Sequence, residues 1–397
     1  MSHKLPVTVV VVSLVSFFND LASDMVIPLL PLLLATVLTG GAVALGLIEG
    51  IADAVASLLK LWSGRRSDSS GGRRKGLALA GYALSNLARP LLGLVGHWFP
   101  ALILRSIDRV GKGIRSAPRD ALIADVTNPT ERGRAFGFHR ALDNAGAVGG
   151  ALAAAAVLSW TSLSLSDVIL WSAVPGTFGV ILFAVAVREP ATNIARPLGA
   201  PGAASLRWTG LSEGTRRYLL VLALFTFARA SETFIVLRGH ELGMSVPHLL
   251  ILWAALNLAK SVTGTWGGVL ADRVGRAAVL RSSWMAYGIC YWGLALVGGP
   301  MALWVVSVVY GLFAGSSEGA ERAMISDFAR PEERGTAFGW YYLVAGIAAI
   351  PAGLLFGLTW ERYSAGAAFG YAGVLALASA LLLGRGYAHE ADRSTVS

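Results

Sequence analysis

ALIADVTNPTERGRAFG, residues 121–137, returns as AMISDFARPEERGTAFG at residues 323–339, a shift of 202 residues with ten identities in 17 positions. Two weaker matches flank this one. Asp68 in GRRSDSSGGRRK (64–75) falls opposite Asp272 in GVLADRVGR (268–276), and FFNDLASDM (17–25) falls on FTFARASET (225–233), which sets Asp24 against Glu232. A chain that repeats at half its length is built from two related halves, so what surrounds one copy should surround the other.

What surrounds each copy is apolar. Of the 397 residues 55% are hydrophobic and 14% charged, with a mean hydropathy of +0.61, whereas a soluble domain carries about 25% charged residues. Twelve stretches reach the roughly 20 apolar residues that a spanning helix needs: 7–36, 42–63, 75–96, 100–123, 134–159, 166–187, 217–237, 247–270, 277–297, 302–325, 336–359 and 367–383. The first continues past Asn19 and Asp20 to about residue 38. That exceeds the roughly 7–15 residues of a signal-peptide core, so it is expected to remain as a spanning helix.

The net charge of +9 is distributed by topology. Arg65, Arg66, Arg73, Arg74 and Lys75 follow segment two, Arg132 and Arg134 follow four, and Arg188, Arg196, Arg207, Arg216 and Arg217 follow six. Arg273 and Arg276 follow eight, and Arg330 and Arg334 follow ten. The other connections are nearly uncharged, which places both termini and the basic connections in the cytoplasm of a cell membrane, here a bacterial inner membrane. No water-facing stretch is long enough to form a basic patch, so no nucleic-acid partner is expected. The single cysteine, Cys290, excludes a disulfide framework. Pro, Gly, Ala and Ser fill the longest connection, so the expected division is a six-helix bundle over 1–189, a cytoplasmic linker over 190–216, and a second bundle with a short tail over 217–397. An even number of segments per half keeps the repeats in one orientation, with a substrate site between them near the midplane.

These residues also carry a resemblance. GGVLADRVGR (267–276) resembles the signature between the second and third helices of each half in the major facilitator superfamily, and residues 64–75 resemble it with one insertion. Leu102, Arg105 and Gly111 resemble the arginine motif of proton-driven members, and AGAVGG (145–150) loosely resembles the exporters' glycine–proline motif, without its proline. The resemblance implies an all-α membrane protein of twelve helices in two pseudo-symmetric bundles. It further implies a cytoplasmic latch made by Asp68, Arg73, Asp272, Arg273 and Arg276.

Charges at membrane depth cost about 2.5–3.5 kcal/mol on insertion scales, so they pair, face the interior and mark pathways. Asp20 and Asp24 share a helix face. Glu49, Asp53 and Lys60 follow a spacing of four and seven, and Arg105, Asp108, Arg109 and Lys112 form a stripe continued by Arg115 and Arg119 until Pro118 disturbs the helix. His139, Arg140, Asp143 and Asn144 follow in segment five, and Arg229, Glu232, Asn257, Lys260 and Glu318 in the second half. Asp20 or Asp24, with Glu232, is expected to bind a proton that Arg105 tunes. Glu49, Asp53, Asp108, Arg109, Asp143, Asn144 and Arg229 are expected to line the substrate cavity. Lys60, Arg115, Arg119, Asp120, Arg140, Glu321 and Arg322, nearer the cytoplasmic face, are expected to hold helices together. The histidines lack metal-ligand spacing and no phosphate-binding glycine loop is present, so no metal, cofactor or enzymatic chemistry is expected. The expected function is proton-coupled export of a small organic solute or drug by a monomer using alternating access. The alternatives are proton-coupled uptake, export of a metal or metal chelate, and a non-transporting membrane sensor.

Overall fold

The computed structural model describes residues 5–69, 74–128, 131–188, 207–328 and 334–394. Among these there is no strand. Segment one is α1 (Val7–Asp24), a 3-10 turn at Ile27–Leu29 and α2 (Leu30–Thr36). Then come α3 (Gly41–Ser69), α4 (Lys75–Leu91), α5 (Trp98–Asp125) and α6 (Arg132–Trp160), with segment six divided into α7 (Leu165–Trp171) and α8 (Ala173–Ala186). Segment seven is α9 (Glu213–Ala228) plus α10 (Thr233–Glu241), followed by α11 (Val246–Val274), α12 (Arg276–Leu296), α13 (Pro300–Phe328), α14 (Arg334–Arg362) and α15 (Ala365–Ser394). Every apolar stretch in the sequence is thus a helical segment.

Local chemistry sets several boundaries. Ser164 and Asp167 form a capping box at the start of α7, and the Ser212 hydroxyl accepts the Thr215 amide at the start of α9. Pro28 and Pro31, which have no N–H to give, coincide with the interruption of segment one. Pro118 does not act this way: α5 runs through it to Asp125. A proline inside a continuous helix forfeits one backbone bond, and here that loss does not end the helix. Among the described residues nine segments are long and apolar enough to cross a membrane. α5 falls short because eight of its 28 residues are charged.

The helices gather into two compact units. The first holds residues 1–40, 51–198 and 244–257, and the second holds 41–50, 199–243 and 258–397. In the first, α1 packs on α6 and α8, and α4 packs on α5, around Val9, Val12, Val15, Tyr82 and Phe183. The AGAVGG run explains how closely α6 approaches α1: any Cβ at Gly146 or Gly150 would overlap the carbonyls of Phe17 and Leu21. Small residues four apart let membrane helices meet backbone to backbone. In the second unit α12 packs on α13 and α15, and α9 packs on α14 and α15. Its interior is aromatic, with Phe225 stacked on Trp284 at 4.1 Å.

Candidate functional site

The charged stripe of α5 folds inward in the first unit. Asp108, 2% exposed, accepts from Arg89 Nη2 of α4 at 2.9 Å and Arg105 Nη1 at 3.2 Å, with Arg109 Nε 3.7 Å away. Arg89 also donates to Asn86 Oδ1 and to the Asn19 carbonyl of α1. Ser85 donates to the Asp108 carbonyl and accepts from Arg115, whose guanidinium lies over the Tyr82 ring. Gly81 and Gly111 permit this closeness, since a Cβ on either would overlap the other's carbonyl. One carboxylate thus anchors three guanidiniums in a network joining α1, α4 and α5.

The two acids of segment one meet different neighbours. Asp20 is half-buried, accepts from the Asn19 amide at 2.8 Å, and lies within electrostatic reach of Lys112, Arg115 and Arg119 on α5 and of Asp143 on α6. Asp24, the last residue of α1, accepts the indole N–H of Trp253 on α11 at 2.8 Å. On α6, Asp143 Oδ2 lies 4.0 Å from Arg119 and 3.8 Å from His139 Nε2, and Asn144 is half-buried. Asp53 of α3 is exposed.

The second unit arranges its charges around the break in segment seven. Between α9 and α10 the backbone at Arg229 leaves the helical region, with ψ at 83°. Arg229 Nη1 donates to Glu321 Oε2 at 3.1 Å, and Tyr341 Oη donates to Glu321 Oε1 at 2.9 Å. Glu232 takes Lys260 Nζ on both oxygens at 2.9 Å and the Tyr310 hydroxyl at 3.2 Å. This pair is partly open, with side-chain exposures of 19% for Glu232 and 22% for Lys260. Beside it Tyr287 donates to Tyr291, which donates to the Ala230 carbonyl of the break. Glu49 lies in this unit, 3.5 Å from the Ser231 hydroxyl.

The sequence-derived set is therefore divided between units. Asp20, Asp24, Asp53, Arg105, Asp108, Arg109, Asp143 and Asn144 lie in the first, and Glu49, Arg229 and Glu232 in the second. Glu321, assigned from the sequence to holding helices, is the partner of Arg229. Arg89, Tyr310 and Lys260 emerge as central without having been singled out as site residues. Arg89 had a signal, as the one cation within the apolar run of segment three. Of the expected latch, Arg73 and the side chains of Asp68 and Asp272 lie outside the described residues, while Arg273 is exposed and Arg276 half-buried. No group of three or more metal-ligating side chains occurs among the described residues.

Known proteins share this architecture and its halves. Residues 12–237 and 219–395 each match the model of the Major Facilitator Superfamily. An uncharacterized MFS-type transporter of Methanocaldococcus jannaschii is 32% identical over 387 residues, covering 96% of this chain and 95% of the relative. Among solved structures, the nucleoside transporter NupG superposes with a TM-score of 0.77 at 13% identity, covering 97% of this chain and 99% of its own. A D-xylose-proton symporter gives 0.73 at 14% identity over 95% and 96%. At such identities the likeness to these two structures is one of fold. The repeat, the twelve helical segments and the match of both halves lead to one assignment: the chain belongs to the major facilitator superfamily and is a multi-pass membrane protein that works as a secondary transporter, not an enzyme.

Proposed function

We propose that this transporter exports a small organic solute in exchange for protons, with both bound at the interruptions of segments one and seven. The observation that carries the reading is a carboxylate at each break: Asp24 ends α1 and Glu232 precedes α10, at positions the internal repeat sets opposite one another. Backbone freed from a helix at membrane depth must be buried in protein or line a cavity, and discontinuous helices are where transporters hold substrate and coupling ions. Asp24 meets a neutral indole, and Glu232 meets an ammonium and a phenol. A carboxylate's proton affinity depends on its nearby charges and its burial, so a conformational change that alters these partners also moves protons. Asp20 stands one turn before Asp24 among the cations of α5.

Export is supported by the likeness of Arg105 and the acidic pair to proton-driven exporters. The protein works as a monomer in a cell membrane, with the arginine-rich connections and both termini facing the cytoplasm. The Asp68 and Asp272 regions act as the latch on that face.

A thermal-shift screen of purified protein against metabolites, drugs and metal chelates identifies a substrate, which is then followed in proteoliposomes with and without a pH gradient. The gradient should drive export by the wild type, and the Asp20→Asn, Asp24→Asn double variant should lose that dependence. Full gradient dependence in the double variant overturns the assignment of the proton site. Movement of solute and protons in the same direction replaces export with symport.

A further inference from the structure

His139 is 3% exposed, and neither of its ring nitrogens has a hydrogen-bond partner among the described residues. One turn further along α6, Asp143 Oδ1 is likewise buried and unmet, while its Oδ2 lies 3.8 Å from His139 Nε2, beyond hydrogen-bond length. Buried polar groups are nearly always hydrogen-bonded, and each one left unmet carries a desolvation cost. No other described side chain has two such atoms. These three occur together on the helix that Gly146 and Gly150 press against α1.

The surrounding charges are mixed. Asp20 of α1, Arg119 and Asp120 of α5 and Arg140 of α6 itself lie within electrostatic reach of the histidine. An imidazolium beside this carboxylate becomes a donor to Asp143 Oδ2 that needs only a small rotation to close the 3.8 Å gap. Depth along the helices is graded as a relay requires. At 1.5 Å per residue, His139 lies ~10 Å and Asp143 ~16 Å from the α6 N-terminus at Arg132, and Asp20 lies ~20 Å from the α1 N-terminus at Val7. Both termini belong to the end of the molecule that bears the basic connections.

We propose that His139 and Asp143 form a proton-binding site that exchanges protons between the aqueous phase at that end and Asp20. The proton moves from a hydronium ion to an imidazole nitrogen, from there to a carboxylate oxygen of Asp143, and on to Asp20. No bond other than those to hydrogen changes. The inference rests on the proton-coupled reading above, but the site binds its proton whether or not a solute is known.

Purified full-length protein in nanodiscs is stepped between pH about 8 and about 5 and followed by infrared difference spectroscopy. The expected spectrum contains a protonated-carboxyl band and imidazole bands. Asp143→Asn should remove a carboxyl component, His139→Gln should remove one of the imidazole components of the six histidines and displace the carboxyl component, and Arg140→Gln should leave both in place. Identical carboxyl difference bands in wild type, Asp143→Asn and His139→Gln overturn the proposal and leave the pair as packing. If Asp143→Asn does not fold, an unchanged carboxyl band in His139→Gln overturns it alone. Transport that ignores a pH gradient while the bands remain overturns the coupling reading and leaves the proton site standing.

Discussion

The helix pair α4–α5 of the first half and the pair α12–α13 of the second are the same construction filled with opposite chemistry. The repeat shift of 202 residues sets Ser85, Arg89 and Asp108 against Tyr287, Tyr291 and Tyr310. Where Arg89 bridges to Asp108 at 2.9 Å, the Tyr291 and Tyr310 rings face each other at 5.8 Å. Where Arg89 reaches the Asn19 carbonyl of α1, Tyr291 reaches the Ala230 carbonyl after α9. The first half thus places full charges inside its helix pair, and the second places phenols there and moves its accessible carboxylate to the break in segment seven. A duplicated scaffold conserves which positions touch but not what they are made of, so the same helix pair holds fixed charge in one half and phenols in the other.

The strongest way to break this comparison is Asp108→Asn. The variant leaves three buried guanidiniums without their shared anion, and loss of one partner of a buried ion pair costs about 3–5 kcal/mol. Thermal unfolding of the purified protein should show a large loss of stability, or no folded protein at all. A variant as stable as wild type would mean that the arginines are solvated in the native state and that the first centre is as open as the second. Glu232→Gln is expected to behave differently. Glutamine still accepts from Lys260 and Tyr310, and the pair is about a fifth exposed, so the stability loss should be about 1–2 kcal/mol. Transport should nonetheless fail, because the amide binds no proton and no longer balances Lys260. Retention of transport with collapse of stability would reverse the roles given to the two centres.

Much of the architecture is visible in the sequence because membrane helices are specified by apolar length, which needs no knowledge of neighbours. That logic accounts for the twelve segments and for α5, whose stripe at Arg105, Asp108, Arg109 and Lys112 marks it as a helix facing protein despite its charge. It does not locate interruptions: hydropathy reads 213–241 as one apolar run, while the break at Arg229–Glu232 depends on bonds from Tyr291, Lys260 and Glu321 on other helices. Partner identity was hidden for the same reason. Arg89 stands 19 residues from Asp108, and only the close approach at Gly81 and Gly111 joins them. Lys260 and Tyr310 were individually ordinary, a lysine and a tyrosine on separate helices, until the turn at Glu232 gave them a common target.

Tyr310→Phe tests the comparison with the smallest perturbation. The ring stays, keeping its edge contact with Tyr287 at 5.1 Å, and one hydroxyl is lost from 3.2 Å of Glu232. Because Lys260 continues to hold both carboxylate oxygens, the variant removes one of several bonds, and stability should fall by about 0.5–1 kcal/mol. The transport effect should be small: Lys260 still holds Glu232 on both oxygens, so the maximal rate should be nearly preserved, in contrast to Glu232→Gln. A loss of stability matching Asp108→Asn would show that the tyrosines of the second half are an interlocked core like the arginines of the first.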